Sequence, residues 1–141
     1  MAAPYIGSCA CGQVSVTITV APVATRQCWC RQCQQLAGGG PTHNAMFPTE
    51  AVTLIGQTAE YSYVAASGNT VTHEFCPACG TPVLSRSSAR PQFRGIRIGL
   101  LDPGNGIRPE MAIWTEDAPD WAAIDPALER HARQPPPPPS S

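Results

Sequence analysis

The sequence of 141 residues contains no lysine, and all nine of its basic residues are arginines. Schiff-base catalysis and the phosphate-binding P-loop both depend on a lysine amine, so both chemistries are excluded. Charged residues make up only 13% of the chain, and the formal net charge is −1. A chain with so little charge carries no basic footprint for nucleic acid or for an anionic membrane surface. We therefore expect neither as a partner.

Long hydrophobic runs are also missing, and no segment is apolar enough to span a bilayer. The first residues, "MAAPYIGSCACG", lack the basic and apolar regions of a secretory signal. We therefore expect the protein in the cytoplasm. In that reducing compartment, cysteines hold metal or perform chemistry more often than they form disulfides.

Hydrophobic residues, at 43%, are frequent enough for one small core. The segment "GQVSVTITV" (12–20) alternates strictly, with Val14, Val16, Ile18 and Val20 on one side, which predicts a half-buried strand. Further short β candidates lie at 51–55, 59–65, 71–75, 93–101 and 111–114, and the breaks between them carry glycine. Short helices are expected only at 31–37 and 126–132, because prolines are scattered through the chain.

These patterns predict a mainly β fold, a small single domain of antiparallel sheets with few short helices over residues 1–132. Residues 133–141, "RQPPPPPSS", have the composition of a disordered proline-rich tail.

Cysteine is the residue type that the sequence uses most distinctively. Its seven cysteines form three groups: Cys9 and Cys11; Cys28, Cys30 and Cys33; and Cys76 and Cys79. Both outer pairs end in Cys-Gly, in "CACG" and "CPACG", and glycine allows the tight turn that points backbone N–H groups at a thiolate. Two short pairs far apart in sequence are typical of a closed zinc site with four cysteine ligands.

The middle group, "CWCRQC", leaves three ligands for a second metal. Structural zinc sites have four protein ligands, whereas catalytic sites keep three and leave one position open. Cys28, Cys30 and Cys33 are therefore candidate ligands of an open, catalytic zinc ion, which makes two zinc ions per chain. Two alternatives stay open: His43 could close the site, or the three thiols could be a redox group.

The donor set limits the chemistry. Zinc with three thiolates carries a net charge of about −1, so it activates water less well than zinc held by neutral histidines. Such a soft site suits a fourth sulfur ligand, which indicates a thiol substrate held as its thiolate for carbon–sulfur bond chemistry.

Several stretches resemble the glutathione-dependent formaldehyde-activating enzyme (GFA)/CENP-V domain family. They include "GSCACGQVSVTI", "CWCRQCQQLAGG", "HEFCPACGTPVL" and "IWTEDAPDW", and the resemblance covers about residues 5–131. It implies a β-tent-like fold of zinc-braced sheets. It also implies a structural zinc ion on the two outer cysteine pairs and a catalytic one on the middle three. The implied activity is that of a carbon–sulfur lyase, which joins glutathione to formaldehyde as S-hydroxymethylglutathione.

The expected partners are therefore a small thiol resembling glutathione and an aldehyde. Arg31, inside the middle group, is a candidate contact for a substrate carboxylate, although it could equally offset thiolate charge or face solvent. Arg26 has a weaker case for the same role, and we expect His73 to be structural. The alternative to an enzyme is a non-catalytic zinc-braced β module that binds a partner.

Overall fold

The computed structural model describes residues 3–137, and the fold is mainly β. Within these residues, eleven strands and one α-helix, α1, follow one another. The bounds are β1 Tyr5–Ser8, β2 Ser15–Ile18, β3 Ala24–Cys28, α1 Arg31–Ala37, β4 Thr42–Pro48, β5 Val52–Ile55, β6 Ala59–Val64, β7 Thr70–Phe75, β8 Pro82–Ser87, β9 Phe93–Arg97, β10 Met111–Ile113 and β11 Glu129–Arg130. No helix in the described part is long and apolar enough to cross a membrane.

A small sheet has the strand order β1-β2-β5, with both pairs antiparallel. The predicted alternation in β2 is confirmed, because Val16 and Ile18 are buried while Thr17 is exposed. The strand is shorter than the pattern, however, and Val20 lies beyond its end and is 40% exposed.

The large sheet has the order β11-β10-β3-β4-β9-β8-β7-β6. It is antiparallel from β3 to β6 and parallel where β10 joins β3 and β11. One face of this sheet packs on the small sheet and forms the main core, to which Phe47, Leu84 and Ile96 contribute. Because side chains alternate along a strand, the residues between these point to the opposite face.

The helix prediction was right at one place and wrong at the other. The helix α1 occupies the predicted residues 31–37 and ends at Gly38, whose φ of 77° is the left-handed conformation common at helix ends. At 126–132 there is no helix. Asp125 caps a turn there through a side-chain bond from the Ala127 N–H, and β11 then pairs with β10. Sheet hydrogen bonding has replaced the weak helical tendency of this segment.

The predicted tail lies partly outside the described residues, which end at 137. Its first residues contact the domain. Arg133 forms an ion pair with Glu116 at 2.9 Å, Gln134 accepts a hydrogen bond from the Trp114 indole at 3.1 Å, and Pro135 is buried. Arg133 and Gln134 thus belong to the wall of the cavity described below.

Candidate metal centre

The two outer cysteine pairs meet at one end of the two sheets. Cys9 and Cys11 follow β1, Cys76 and Cys79 lie in the connection from β7 to β8, and the four Sγ atoms are within 4.8 Å of one another. The Sγ distance is 3.6 Å from Cys9 to Cys11 and 3.7 Å from Cys11 to Cys76. Four thiolates around one zinc ion would lie about 3.8 Å apart. The cluster therefore has the donors and the spacing of a closed metal site.

Local hydrogen bonds favour the thiolate form of two members of this outer cluster, Cys9 and Cys79. The Val14 N–H donates to Cys9 Sγ at 3.3 Å and lowers the pKa of Cys9. The Thr81 hydroxyl lies 3.2 Å from Cys79 Sγ, and the pKa of Cys79 is lowered to about 5, chiefly by that contact. Gly12 and Gly80, the glycines of the two Cys-Gly pairs, both have positive φ, as the turns require.

The middle three cysteines form a second cluster, also with all Sγ atoms within 4.8 Å of one another. Cys28 ends β3, Cys30 is the N-cap of α1, and Cys33 lies in its first turn. The Cys33 N–H donates to Cys30 Sγ at 3.4 Å, so the hydrogen bond that caps α1 also holds two cysteines of the cluster together. Among the described residues, no fourth histidine, cysteine or carboxylate joins these three.

Two neighbouring thiols stabilise a thiolate at Cys33. Hydrogen bonds from Cys28 and then Cys30 lower the pKa of Cys33, and the positive charge of Arg97 acts in the same direction. The same contacts raise the pKa of Cys28, because its proton is the one shared. This buried cluster can therefore hold a cation with thiolate donors.

The cluster opens into a cavity of about 820 Å³. Its floor is the second face of the large sheet, and its wall includes α1, the turn before β9 and the start of the C-terminal segment. The register explains why chemically active residues converge there. Arg26 in β3 pairs with Asn44 in β4, and Asn44 pairs with Arg97 in β9, so the three form one row across the sheet beside Cys28.

Arg97 is a buried cation of this floor, with 6% of its surface exposed. It donates through Nη1 to Asn44 Oδ1 and through Nη2 to His73 Nδ1, the latter at 2.8 Å. An arginine can only donate, so Nδ1 of His73 accepts and the imidazole proton lies on Nε2. Burial, followed by the charge of Arg97, lowers the pKa of His73 to about 4. Tyr63 stacks on this neutral ring, with centroids 5.5 Å apart.

Arginine dominates the charge of the cavity. Six of the nine arginines line it, together with one acidic residue, Asp117. Arg86 is paired with Glu60 and Glu74, and Arg133 is paired with Glu116. The remaining four are Arg26, Arg31, Arg90 and Arg97, and none of them has a carboxylate partner within residues 3–137. The cavity therefore presents a positive field around the thiolate cluster.

The remaining residues that the sequence singled out differ in their distance from the middle cluster. Arg31 is exposed and lines the cavity rim. His43 lies on the opposite sheet face from Cys28, bonded to Gln27 at 3.1 Å, and is not a ligand of the cluster. His73, expected to be structural, lines the cavity and orients Arg97.

Sequence reasoning missed Arg97, Arg90 and Tyr63. Arg97 had a signal, since it alternates with Phe93 and Gly95 in β9 and so lies on one sheet face with them. Arg90 and Tyr63 reach the cavity only because β6, β7 and the turn before β9 fold over it. No local pattern could have identified them.

Comparison with known proteins agrees with this architecture. The family model described as glutathione-dependent formaldehyde-activating enzyme matches residues 4–117. A crystal structure of a Rhodobacter sphaeroides protein, a structural genomics target, superposes with a TM-score of 0.57 at 19% identity. The match covers 74% of this chain and 91% of that one, and at this identity it shows the fold alone. No curated protein matches the chain.

Proposed function

Because this chain belongs to the glutathione-dependent formaldehyde-activating enzyme family, we propose that it is a zinc-dependent carbon–sulfur lyase-type enzyme. Its substrate would be a small thiol and its aldehyde adduct, with glutathione and formaldehyde as the first pair to test. One observation carries the proposal: Cys28, Cys30 and Cys33 supply three thiolate donors at the wall of a cavity, with no fourth histidine, cysteine or carboxylate donor within residues 3–137.

The residues present fit zinc at both clusters. All seven donors are cysteine sulfurs, none of the seven cysteines forms a disulfide, and the spacing of the outer four matches a tetrahedral thiolate site. The outer cluster would be structural, because four protein ligands close it. Free thiols throughout also favour the cytoplasm as the compartment.

A zinc ion bound by the middle cluster would supply a position at which a substrate sulfur is held as its thiolate. The chain would contribute the electrostatics of that position. Arg97 lies beneath the cluster, and its charge offsets the excess negative charge of several thiolates. The cavity walls would hold the aldehyde carbon near the sulfur and limit its encounter with bulk water.

The reaction is an addition that balances without a redox partner. The thiol loses its proton, its sulfur forms a bond to the carbonyl carbon, and the π electron pair of the C=O bond moves to oxygen. That oxygen then takes up a proton to give the hydroxymethyl thioether. The reverse reaction breaks the carbon–sulfur bond and returns thiol and aldehyde.

The test is the rate of exchange between free and adduct formaldehyde in the presence of glutathione, measured by NMR exchange spectroscopy. The zinc-loaded protein should accelerate exchange above the rate in buffer, and Cys30→Ser should remove that acceleration. Arg108→Met, an exposed change outside the cavity, should leave it unaltered. A protein that carries two zinc ions but gives the buffer rate would instead be the non-catalytic β module.

A further inference from the structure

The cavity contains a buried cation that has no ionic or side-chain partner among the described residues. Arg26 is 5% exposed, and its Nε atom is buried without a hydrogen-bond acceptor. No ion pair or side-chain hydrogen bond involves its guanidinium within residues 3–137. The acceptor beside it in the sheet, Asn44 Oδ1, accepts a hydrogen bond from Arg97 and none from Arg26. A charge buried in this way costs folding free energy, so its presence needs another explanation.

A second arginine increases that cost. Arg90, in the turn between β8 and β9, lines the same cavity and is half-buried. Both side chains line this one cavity, and like charges that share a cavity repel each other. Two cations that face one cavity, neither with a carboxylate partner within residues 3–137, form an arrangement that an anion would complete.

We propose that Arg26 and Arg90 form a carboxylate-binding subsite that selects acidic thiols for the neighbouring cysteine cluster. Arginine suits this role because its planar group binds a carboxylate through two parallel hydrogen bonds. Arg26 and Cys28 lie on the same face of β3, two residues and therefore about 6.6 Å apart along the strand. A thiol whose carboxylate is a few bonds from its sulfur could reach both positions.

The assignment to a thiol substrate rests on the proposed function, but the anion subsite can be tested separately. The competing explanation is that Arg26 offsets the thiolate charge of Cys28, which favours its charged form. A charge-compensating Arg26 would be needed for metal binding. A substrate-binding Arg26 would be dispensable for metal binding and unfavourable for stability in the free protein.

The experiment uses the full-length, zinc-loaded chain and three probes. They are 3-mercaptopropionate, its neutral counterpart 3-mercaptopropanol, and propionate, which lacks the sulfur. The wild type should bind the acidic thiol on the order of tenfold more tightly than the neutral one in calorimetric titration, as expected for a charge-assisted hydrogen bond. In Arg26→Met that ratio should fall to about one, while the zinc content is unchanged and the melting temperature is raised.

Arg108→Met, outside the cavity, is the matched control and should keep the wild-type ratio. Arg90→Met should also lower the ratio, and it provides the test if Arg26→Met fails to fold, since the neighbours of Arg90 in its turn are exposed. The proposal would be overturned if the ratio stayed near tenfold in Arg90→Met and in any folded Arg26→Met. It would also be overturned if a folded Arg26→Met had lost zinc.

Failure of the proposed function gives a different result. If the cysteine cluster binds no thiol, 3-mercaptopropionate and propionate will bind equally. The subsite is then supported when propionate raises the melting temperature of the wild type but not that of Arg90→Met. It is overturned when propionate has the same effect on both.

Discussion

At the scale of single residues, the least expected environment is that of His73. Its ring is stacked on Tyr63, accepts a hydrogen bond from Arg97 and is 5% exposed. Burial disfavours the charged ring and a cation here would also face Arg97, so the neutral imidazole is favoured. The depressed pKa of His73 therefore links the stability of the fold to pH.

The direction of this pH dependence follows from the pKa of His73 in the folded and in the unfolded chain. The pKa of His73 is about 4 in the folded chain and about 6.5 when unfolded, so the unfolded chain binds the proton first as pH falls. The contribution of the neutral His73 ring to folding stability is complete above about pH 6.5 and is lost as pH falls towards 4. We expect the free energy of unfolding of His73→Gln to fall by about 2–3 kcal/mol less than that of the wild type over that pH range.

Denaturant unfolding of both zinc-loaded proteins at pH 7 and pH 4.5 measures this difference. Cysteine protonation weakens metal binding in both proteins over the same range, so the comparison between them isolates His73. Parallel losses of unfolding free energy in the two proteins would contradict the prediction.

At the scale of the element, β1 depends on a glycine for its approach to the rest of the domain. Gly7 forms a bridge to Leu101, and a Cβ atom there would lie 2.1 Å from the Leu100 carbonyl oxygen and 2.6 Å from Leu101 Cα. These are backbone atoms, so the strand itself must shift to make room. Because β1 leads directly to Cys9 and Cys11, that shift would also disturb the outer cluster.

Gly7→Ala should therefore lower the free energy of unfolding by about 3 kcal/mol, at the upper end for overpacked positions. Gly99→Ala is the matched control, because a Cβ atom there meets nothing within 4 Å and its φ is not positive. Thermal unfolding of both variants checks the prediction. Equal melting temperatures would show that β1 can move away from Leu100 at no cost.

The C-terminal segment is the second element with a clear test. Removal of residues 138–141 should leave the melting temperature unchanged. Removal of residues 133–141 should lower it by a few degrees, because it also removes the Gln134 acceptor of Trp114 and the buried Pro135. Two truncated chains, compared by circular dichroism, distinguish these expectations. Identical melting temperatures would instead place the C-terminal boundary of the domain at residue 132.

At the scale of the whole molecule, the two cysteine clusters differ in what they connect. The outer cluster joins the turn after β1 in the small sheet to the β7–β8 connection in the large sheet. The middle cluster lies within six residues of the chain, from β3 to the first turn of α1. Loss of metal from the outer cluster should therefore unfold the protein. Loss of metal from the middle cluster should not.

Cys79→Ser should be unfolded or insoluble, since structural zinc contributes on the order of 10 kcal/mol to folding and a domain this size is stable by only about 5–15 kcal/mol. Cys30→Ser should fold and carry about one zinc ion, against two in the wild type. Circular dichroism and metal analysis of both variants provide the test. If Cys30→Ser collapses as completely as Cys79→Ser, the middle cluster is structural.

The sequence by itself determined the features that depend on neighbours in the chain. The cysteine spacings identified both groups of potential ligands, because metal-binding knuckles are local turns. Helix α1 and the alternating strand β2 also followed from their own residues. Where a local pattern was weak, as at 126–132, pairing with a distant strand decided the structure instead.

Only the tertiary structure decided what surrounds the middle cluster. Arg26, Arg97, His73 and Arg90 come from β3, β9, β7 and a turn, and no spacing along the chain relates them. The order and register of the large sheet place the three strand residues on one face, and a shift of one residue in any strand would turn its side chains to the other face. The two groups of candidate cysteine ligands could thus be predicted from the sequence, whereas the charge of the cavity could not.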